Sequence, residues 1–252
     1  VEGPFINKKF KGAQKKEYII PFDYDIINDH KDIISLITIA PELEGALDFI
    51  KKVKNETNIV LSIGHSDATF EETLEGITCG ISHITHLFNA MTGLHHRNPG
   101  VVGAAFTSNV SCELIADEIH VHPGLFSMLL KVKGLDGIVL VTDCMSAGGK
   151  EDGEYELGGQ KVFVKNKRAK LEDNTLAGSV LNLNNAVYNV YKHTDYSIPQ
   201  LIQLVTLNPA KVLGLDSIKG SLDIGKDADI TVFDEEINIA MTIGKGKILY
   251  EI

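Results

Sequence analysis

Between residues 33 and 143 the chain repeats one pattern: a short β-branched apolar run, then a stretch with apolar residues at helical spacing. Residues 33–40 form a continuous apolar run, the mark of a strand buried on both faces. Pro41 is expected to open a helix, with Leu43, Ala46, Leu47, Ile50 and Val53 inward and Lys51, Lys52 and Lys54 outward. Residues 59–63 predict the next strand, which stops at Gly64-His65-Ser66-Asp67. Thr69 with Glu72 fits a capping box, so a helix follows at once. Residues 81–85 predict a third strand, ending at His86, and 89–103 read as a Gly-rich loop. A strand at 110–116, a helix at 123–133 and an apolar strand at 138–142 ending at Asp143 continue the series. Crossovers of this length imply parallel strands with right-handed connections.

The period then changes. Tyr155, Leu157, Val162, Val164, Ala169 and Leu171 alternate with polar residues, broken at Gly158-Gly159 and Asn166-Lys167, which predicts an antiparallel excursion near 153–172. A helix carries Leu181, Leu183, Ala186, Val187 and Val190, and a second runs over 198–213 with an interruption at Asn208-Pro209. From Gly220 onward Ile224, Ala228, Ile230, Val232, Ile239, Met241, Ile243 and Ile248 predict a small β-module. The expected organisation is a catalytic α/β domain over 1–214 and a β-module over 215–252. Five full strands and a stub before Gly3 are counted, whereas a closed barrel needs eight. Together with the opening VEGPF, this reads as a piece of a longer protein.

Composition narrows the partners. The 252 residues carry a net charge of −10 and 44% apolar residues. That argues against a nucleic-acid or anionic-membrane surface and leaves a small anionic substrate open. Three scattered cysteines, Cys79, Cys112 and Cys144, favour a reducing cytoplasm over a disulfide framework. No apolar run approaches the length of a membrane span.

The chemistry concentrates at strand ends, the edge where a parallel barrel builds its active site. His65 and His86 terminate consecutive strands and read first as metal ligands. Glu2, at the end of the stub, is either a third ligand or a solvated terminal carboxylate. His83, three residues before His86, points to the other face and reads as a hydrogen-bonded structural residue. Asp143 is either a turn cap or a catalytic base. His120 and the loop bearing His95, His96 and Arg97 admit plain structural readings too.

Taken in order, VEGPF, GHSDAT, THLFNAM, HHRNPG, IADEIHVHP, LVTDCMSAGG, TLAGSVL and TLNPAKVLGL…KGSLDIGKDADITVFD resemble the N-acetylglucosamine-6-phosphate deacetylases of the amidohydrolase superfamily, across essentially the whole chain. The resemblance implies a TIM-like (β/α)8 metal-dependent hydrolase barrel, here without its first strands, beside a small C-terminal β-module. It implies hydrolysis of the acetamide of N-acetyl-D-glucosamine 6-phosphate to D-glucosamine 6-phosphate and acetate. Glu2, His65 and His86 match the metal ligands and Asp143 the catalytic acid/base. Substrate contacts fall on Ala13, Gln14, Asn89, Ala90, Arg97, Asp117, Glu118, Ile119, His120, Leu176, Ala177 and Gly178, with the Asn89 and Ala90 backbone offering N–H groups. One or two divalent ions are expected per subunit, zinc first, with iron, cobalt or nickel as alternatives. A homodimer is implied, because the arginine of relatives reaches in from a neighbouring subunit. Gln14 stands where many relatives have histidine, so it can donate to a carbonyl without becoming cationic. A chain lacking its first strands is expected to be inactive or badly impaired unless the missing part is supplied. Two other readings are weighed: cyclic-amide hydrolysis, which Arg97 disfavours, and a non-catalytic sugar-phosphate-binding fragment.

Overall fold

The computed structural model describes all of residues 1–252. The chain divides into two compact units, Val1–Glu113 with Asp143–Val180, and Leu114–Thr142 with Leu181–Ile252. In chain order the first elements are α1 (Tyr24–Asn28), β1 (Leu36–Ile39), α2 (Ala46–Glu56), β2 (Val60–Ile63), α3 (Phe70–Cys79), β3 (His83–Ile84), α4 (Gly100–Thr107) and β4 (Ser111–Ile115). They are followed by α5 (Phe126–Lys133), β5 (Ile138–Val141), β6 (Gly153–Leu157), β7 (Gln160–Lys165) and β8 (Arg168–Lys170). The chain closes with α6 (Leu183–Lys192), α7 (Ile198–Ile202), α8 (Leu207–Val212), β9 (Ile230–Phe233), β10 (Ile239–Gly244) and β11 (Lys247–Glu251). No helix is long and apolar enough to cross a membrane.

In the first unit β1, β2, β3 and β4 pair in parallel, with Ile39 opposite Ile63 and Ile84 opposite Cys112. Ile37, Ile39, Leu61, Ile63 and Ile84 are buried on this sheet. The first residues extend it: the Gly3 N–H donates to Thr38 O at 3.2 Å, and Glu2 bridges Thr38 in parallel. Phe5 anchors that stub against Phe22 and Phe49, each ring centroid 5.1 Å away. A row of buried hydroxyls crosses the sheet, Thr38 to Thr85 at 2.8 Å and Ser62 to Thr85 at 2.6 Å. Three polar groups that satisfy one another here avoid the cost of burial without partners.

The antiparallel excursion is β6-β7-β8, with turns at Gly158-Gly159 and at Asn166-Lys167. Both pairs hold positive φ, as tight hairpin turns require. Val162, Val164, Ala169 and Leu171 pack there with Met145, Ala147 and Ala177. In the second unit β9, β10 and β11 form a separate antiparallel sheet, and Phe126, Leu129, Leu130, Ile138, Leu201 and Leu204 are buried.

The structure departs from the hydrophobic pattern at several places. The first long strand begins at Leu36, and Ile33 is 81% exposed, its N–H turned back to His30 O. Pro41 starts no helix: α2 begins after Gly45, whose φ of 81° turns the chain into it. The third strand shrinks to His83–Ile84. The Gly-rich loop ends at Pro99, where α4 begins; six of its eight residues are buried, so no polar face marks the helical period. Residues 198–213 break at Thr206, and Pro209 falls in the first turn of α8, where no intrahelical N–H is needed. Ile224 is fully exposed and lies outside the strands of the tail.

Candidate metal centre

Three of the candidate side chains leave their strands by a backbone kink. His65, His86 and Asp143 adopt φ of 51°, 29° and 47°, left-handed values that cost non-glycine residues energy and gather at functional sites. Before His65, Gly64 is required by space: a Cβ there would lie 2.6 Å from Thr38 Cγ2 and 2.9 Å from Thr85 Cβ. The kinks turn side chains out of the ladder and toward one another.

Glu2, His65 and His86 converge. Glu2 Oε1 lies 2.8 Å from His65 Nε2 and 2.9 Å from His86 Nε2, and the two Nε2 atoms are 3.1 Å apart. His65 Nδ1 contacts Phe10 O at 2.7 Å. A carbonyl oxygen only accepts, so Nδ1 carries the proton and the neutral ring aims its Nε2 lone pair at a carboxylate. Such an approach demands a cation, either a proton or a metal. Ligands about 2.0–2.2 Å from a tetrahedral zinc stand roughly 3.3–3.6 Å apart, a few tenths of an ångström wider than the 2.8–3.1 Å seen here. Two imidazole nitrogens and one carboxylate therefore fit a divalent ion.

The electrostatics agree. Where a proton plays that part, burial disfavours the Glu2 carboxylate, yet hydrogen bonds and charge from His65 and His86 carrying a proton on Nε2 hold its pKa well below the usual carboxylate range. Burial also works against a charged His86, but the hydrogen bond and charge of Glu2, with the charges of Asp143 and Glu113, push its pKa up. Both histidine side chains are 7% exposed and that of Glu2 is 39% exposed, leaving one open side.

Asp143 contributes its charge to His86 from the loop after β5. That loop is laced to the run Leu176, Ala177 and Gly178: Ser179 N–H donates to Asp143 O at 2.7 Å and Met145 N–H to Ser179 O at 2.9 Å. Gly178 has φ of 62°, and a Cβ there would lie 2.9 Å from Asp143 O, so only glycine permits this approach. Ala13 O accepts from Gln160 Nε2 at 2.5 Å, tying the loop before Gln14 to β7. Gln14 Nε2 is buried without a hydrogen-bond partner, a state that costs energy unless the donor is satisfied.

Other expected contacts have different partners. The Asn89 N–H donates to His86 O at 3.0 Å, and its side-chain amide donates to His86 O and Leu87 O. The backbone donor expected to face a ligand at Asn89 is therefore used inside the turn that shapes His86. Ala90, with φ of 48°, accepts from Ser66 N–H through its carbonyl. Arg97 stands on an exposed turn, its guanidinium 2.8 Å from His96 Nε2. In the second unit Asp117 accepts from the N–H groups of Ile119 and His120 and from His120 Nδ1 at 2.7 Å, leaving Nε2 of a neutral His120 as an acceptor. Glu118 pairs with His193 Nε2 at 2.6 Å.

Two carboxylates essential to this geometry escape a reading of the sequence. Glu42 accepts from Ser66 Oγ at 2.7 Å, Asp67 N–H at 2.7 Å and Asn7 Nδ2 at 2.9 Å, binding the loop after His65. It follows Pro41, where an acidic residue passes for the first turn of a helix. Glu113, inside β4, accepts from His86 N–H at 3.0 Å and looks like any polar position of an alternating strand.

Residues 15–249 match the amidohydrolase family. The chain is 41% identical over 253 residues to N-acetylglucosamine-6-phosphate deacetylase of Lysinibacillus sphaericus, covering 98% of this chain and 65% of that protein. It is 35% identical to N-acetylgalactosamine-6-phosphate deacetylase of Escherichia coli O157:H7, covering 98% and 67%. The crystal structure of N-acetylglucosamine-6-phosphate deacetylase from Thermotoga maritima superposes with a TM-score of 0.94 at 39% identity, over 100% of this chain and 69% of that one. The chain thus spans just under two thirds of the first relative's length. Its strand-helix alternation is that of part of a TIM-like barrel, and the chain belongs to the amidohydrolase family.

Proposed function

We propose that the protein hydrolyses the acetamide of N-acetyl-D-glucosamine 6-phosphate, giving D-glucosamine 6-phosphate and acetate. The observation that carries this reading is the convergence of Glu2, His65 and His86 within hydrogen-bonding distance, in a chain similar to such deacetylases. Glu2, His65 and His86 hold one divalent ion, zinc first, with iron, cobalt or nickel also compatible with these ligands. When bound, the ion supplies an acidified water and a Lewis acid for the acetyl carbonyl. Asp143 takes the proton of the attacking water and hands it to the leaving amine. Gln14 Nε2 donates to the acetyl oxygen, and Ala13 supports that loop. Leu176, Ala177 and Gly178 keep Asp143 in place. Arg97 meets the phosphate with its planar fork, from a second subunit of a homodimer; Ala90, Asp117, Glu118, Ile119 and His120 complete the sugar-phosphate contacts. Residues 1–214 act as the catalytic part and 215–252 as part of a β-module, in a cytoplasmic enzyme.

A second reading, the galactosamine epimer of the substrate, is favoured by the relative that is 35% identical. Acetate release from both sugar phosphates, followed by NMR with the full-length, metal-loaded protein, separates the two. Asp143→Asn is expected to lower turnover by about 10²–10⁴-fold, the range for a general acid–base group, with metal content unchanged. Turnover persisting in that variant, or no acetate from either sugar, would remove the proposal.

A further inference from the structure

We infer that Glu113 is a positioning residue, which holds the main chain of His86 in the kink that delivers its Nε2 to the metal. The inference rests on the metal reading of the Glu2, His65 and His86 cluster. The parallel ladder from β3 stops at Ile84, opposite Cys112, and Thr85 N–H still reaches Ile63 O at 2.8 Å. At His86 the chain turns left-handed, with φ of 29°, and its N–H leaves the ladder. A buried N–H in that position needs another acceptor.

Glu113 supplies it, and takes the following N–H as well. Its Oε2 accepts from the His86 N–H at 3.0 Å, and its own backbone carbonyl accepts from the Leu87 N–H at 2.9 Å. The second carboxylate oxygen is fixed in turn. Glu113 Oε1 lies 3.2 Å from His83 Nε2, and His83 Nδ1 lies 2.6 Å from Ser111 Oγ. A carboxylate only accepts, so His83 Nε2 carries the proton; in the neutral ring Nδ1 then accepts from the Ser111 hydroxyl, whose oxygen also lies 3.4 Å from Ser82 O. The relay from Ser111 through His83 to Glu113 is nearly closed to solvent, with the His83 side chain 2% and the Glu113 side chain 16% exposed. A carboxylate clamped on one side and gripping a kinked backbone on the other sets where His86 stands. Supporting groups of this kind change metal affinity about 10–100-fold when removed.

The test uses the full-length protein, with zinc affinity measured by chelator competition and the cobalt-substituted site read by its visible absorption. Glu113→Ala removes the acceptor, so zinc affinity is expected to fall about 10–100-fold and the cobalt band to shift. Glu113→Gln keeps an oxygen for the His86 N–H, while its amide faces a His83 that switches tautomer. That variant is expected to stay within about threefold of the parent with an unshifted band, a rescue that loss of bulk alone does not give. An alanine variant with parental affinity and band, or a glutamine variant as impaired as alanine, overturns the inference. A parent protein that takes up no ion overturns the metal reading, and this inference with it.

Discussion

The carbonyl oxygen of Phe10 decides which nitrogen of His65 faces the cluster. Because it accepts from Nδ1 at 2.7 Å, Nε2 keeps its lone pair, and the same logic at Asp117 orients His120. Sequence reading marks His65, His86 and Asp143 by their place at strand ends, yet it cannot see the left-handed φ that aims them. It cannot see Glu42 or Glu113 as supports either, since their partners are far away in the chain. Asp117 gives a pH signature. Burial opposes its charge, but hydrogen bonds from His120 and Ile119 hold its pKa below the ordinary 3.8. A lowered folded-state pKa means this group stabilises the fold fully above the unfolded value, and the contribution is lost as pH falls through the folded one. Urea midpoints of the parent and Asp117→Asn are therefore expected to differ most above the ordinary value of 3.8 and to converge as pH falls below it. A gap that widens with acidity would contradict this assignment.

At the scale of elements, local chemistry that closes within a few residues is legible. Thr69 and Glu72 form the reciprocal capping box of α3, with Thr69 Oγ1 accepting from Glu72 N–H at 3.2 Å and Glu72 Oε2 accepting from Thr69 N–H at 2.8 Å. Thr69→Ala is expected to cost about 1 kcal/mol of stability in chemical denaturation while leaving the metal content of the site unaltered. The hairpin turns of β6, β7 and β8 are legible for the same reason, since Gly158-Gly159 and Asn166-Lys167 tolerate positive φ. Helix α4 is not, because burial on nearly every side erases the polar half of its period. Nor is the break at Thr206, which the conspicuous Asn208-Pro209 pair obscures: Asn208 is buried with its amide on Leu135 O and Ile138 O.

At the scale of the molecule, an ion at the cluster joins residues separated by up to 84 positions, Glu2 and His86. Bound only by the folded chain, it stabilises the fold by mass action, about 2.7 kcal/mol when the free ion stands at 100 times its Kd. Stripping the metal with a chelator is expected to lower the thermal midpoint, and restoring zinc to raise it again. A midpoint indifferent to both treatments would count against the ion being held by this cluster. The family assignment at this scale rests on residues 15–249 together with the superposition on the Thermotoga maritima enzyme.

By itself the sequence determined most of the alternation of strands and helices, the hairpin excursion, the capping of α3, and the place of His65 and His86 at strand ends, because each depends on periodicity or on neighbours a few positions apart. Only the tertiary structure decided that Glu2 meets His65 and His86 at one point, that Asn89 spends its donors on the turn beneath His86, and that Glu113 takes over a backbone N–H the ladder abandons. Those outcomes depend on strand register and on kinks at strand ends. Register is a relation between distant segments, and it emerges only when the sheet is assembled.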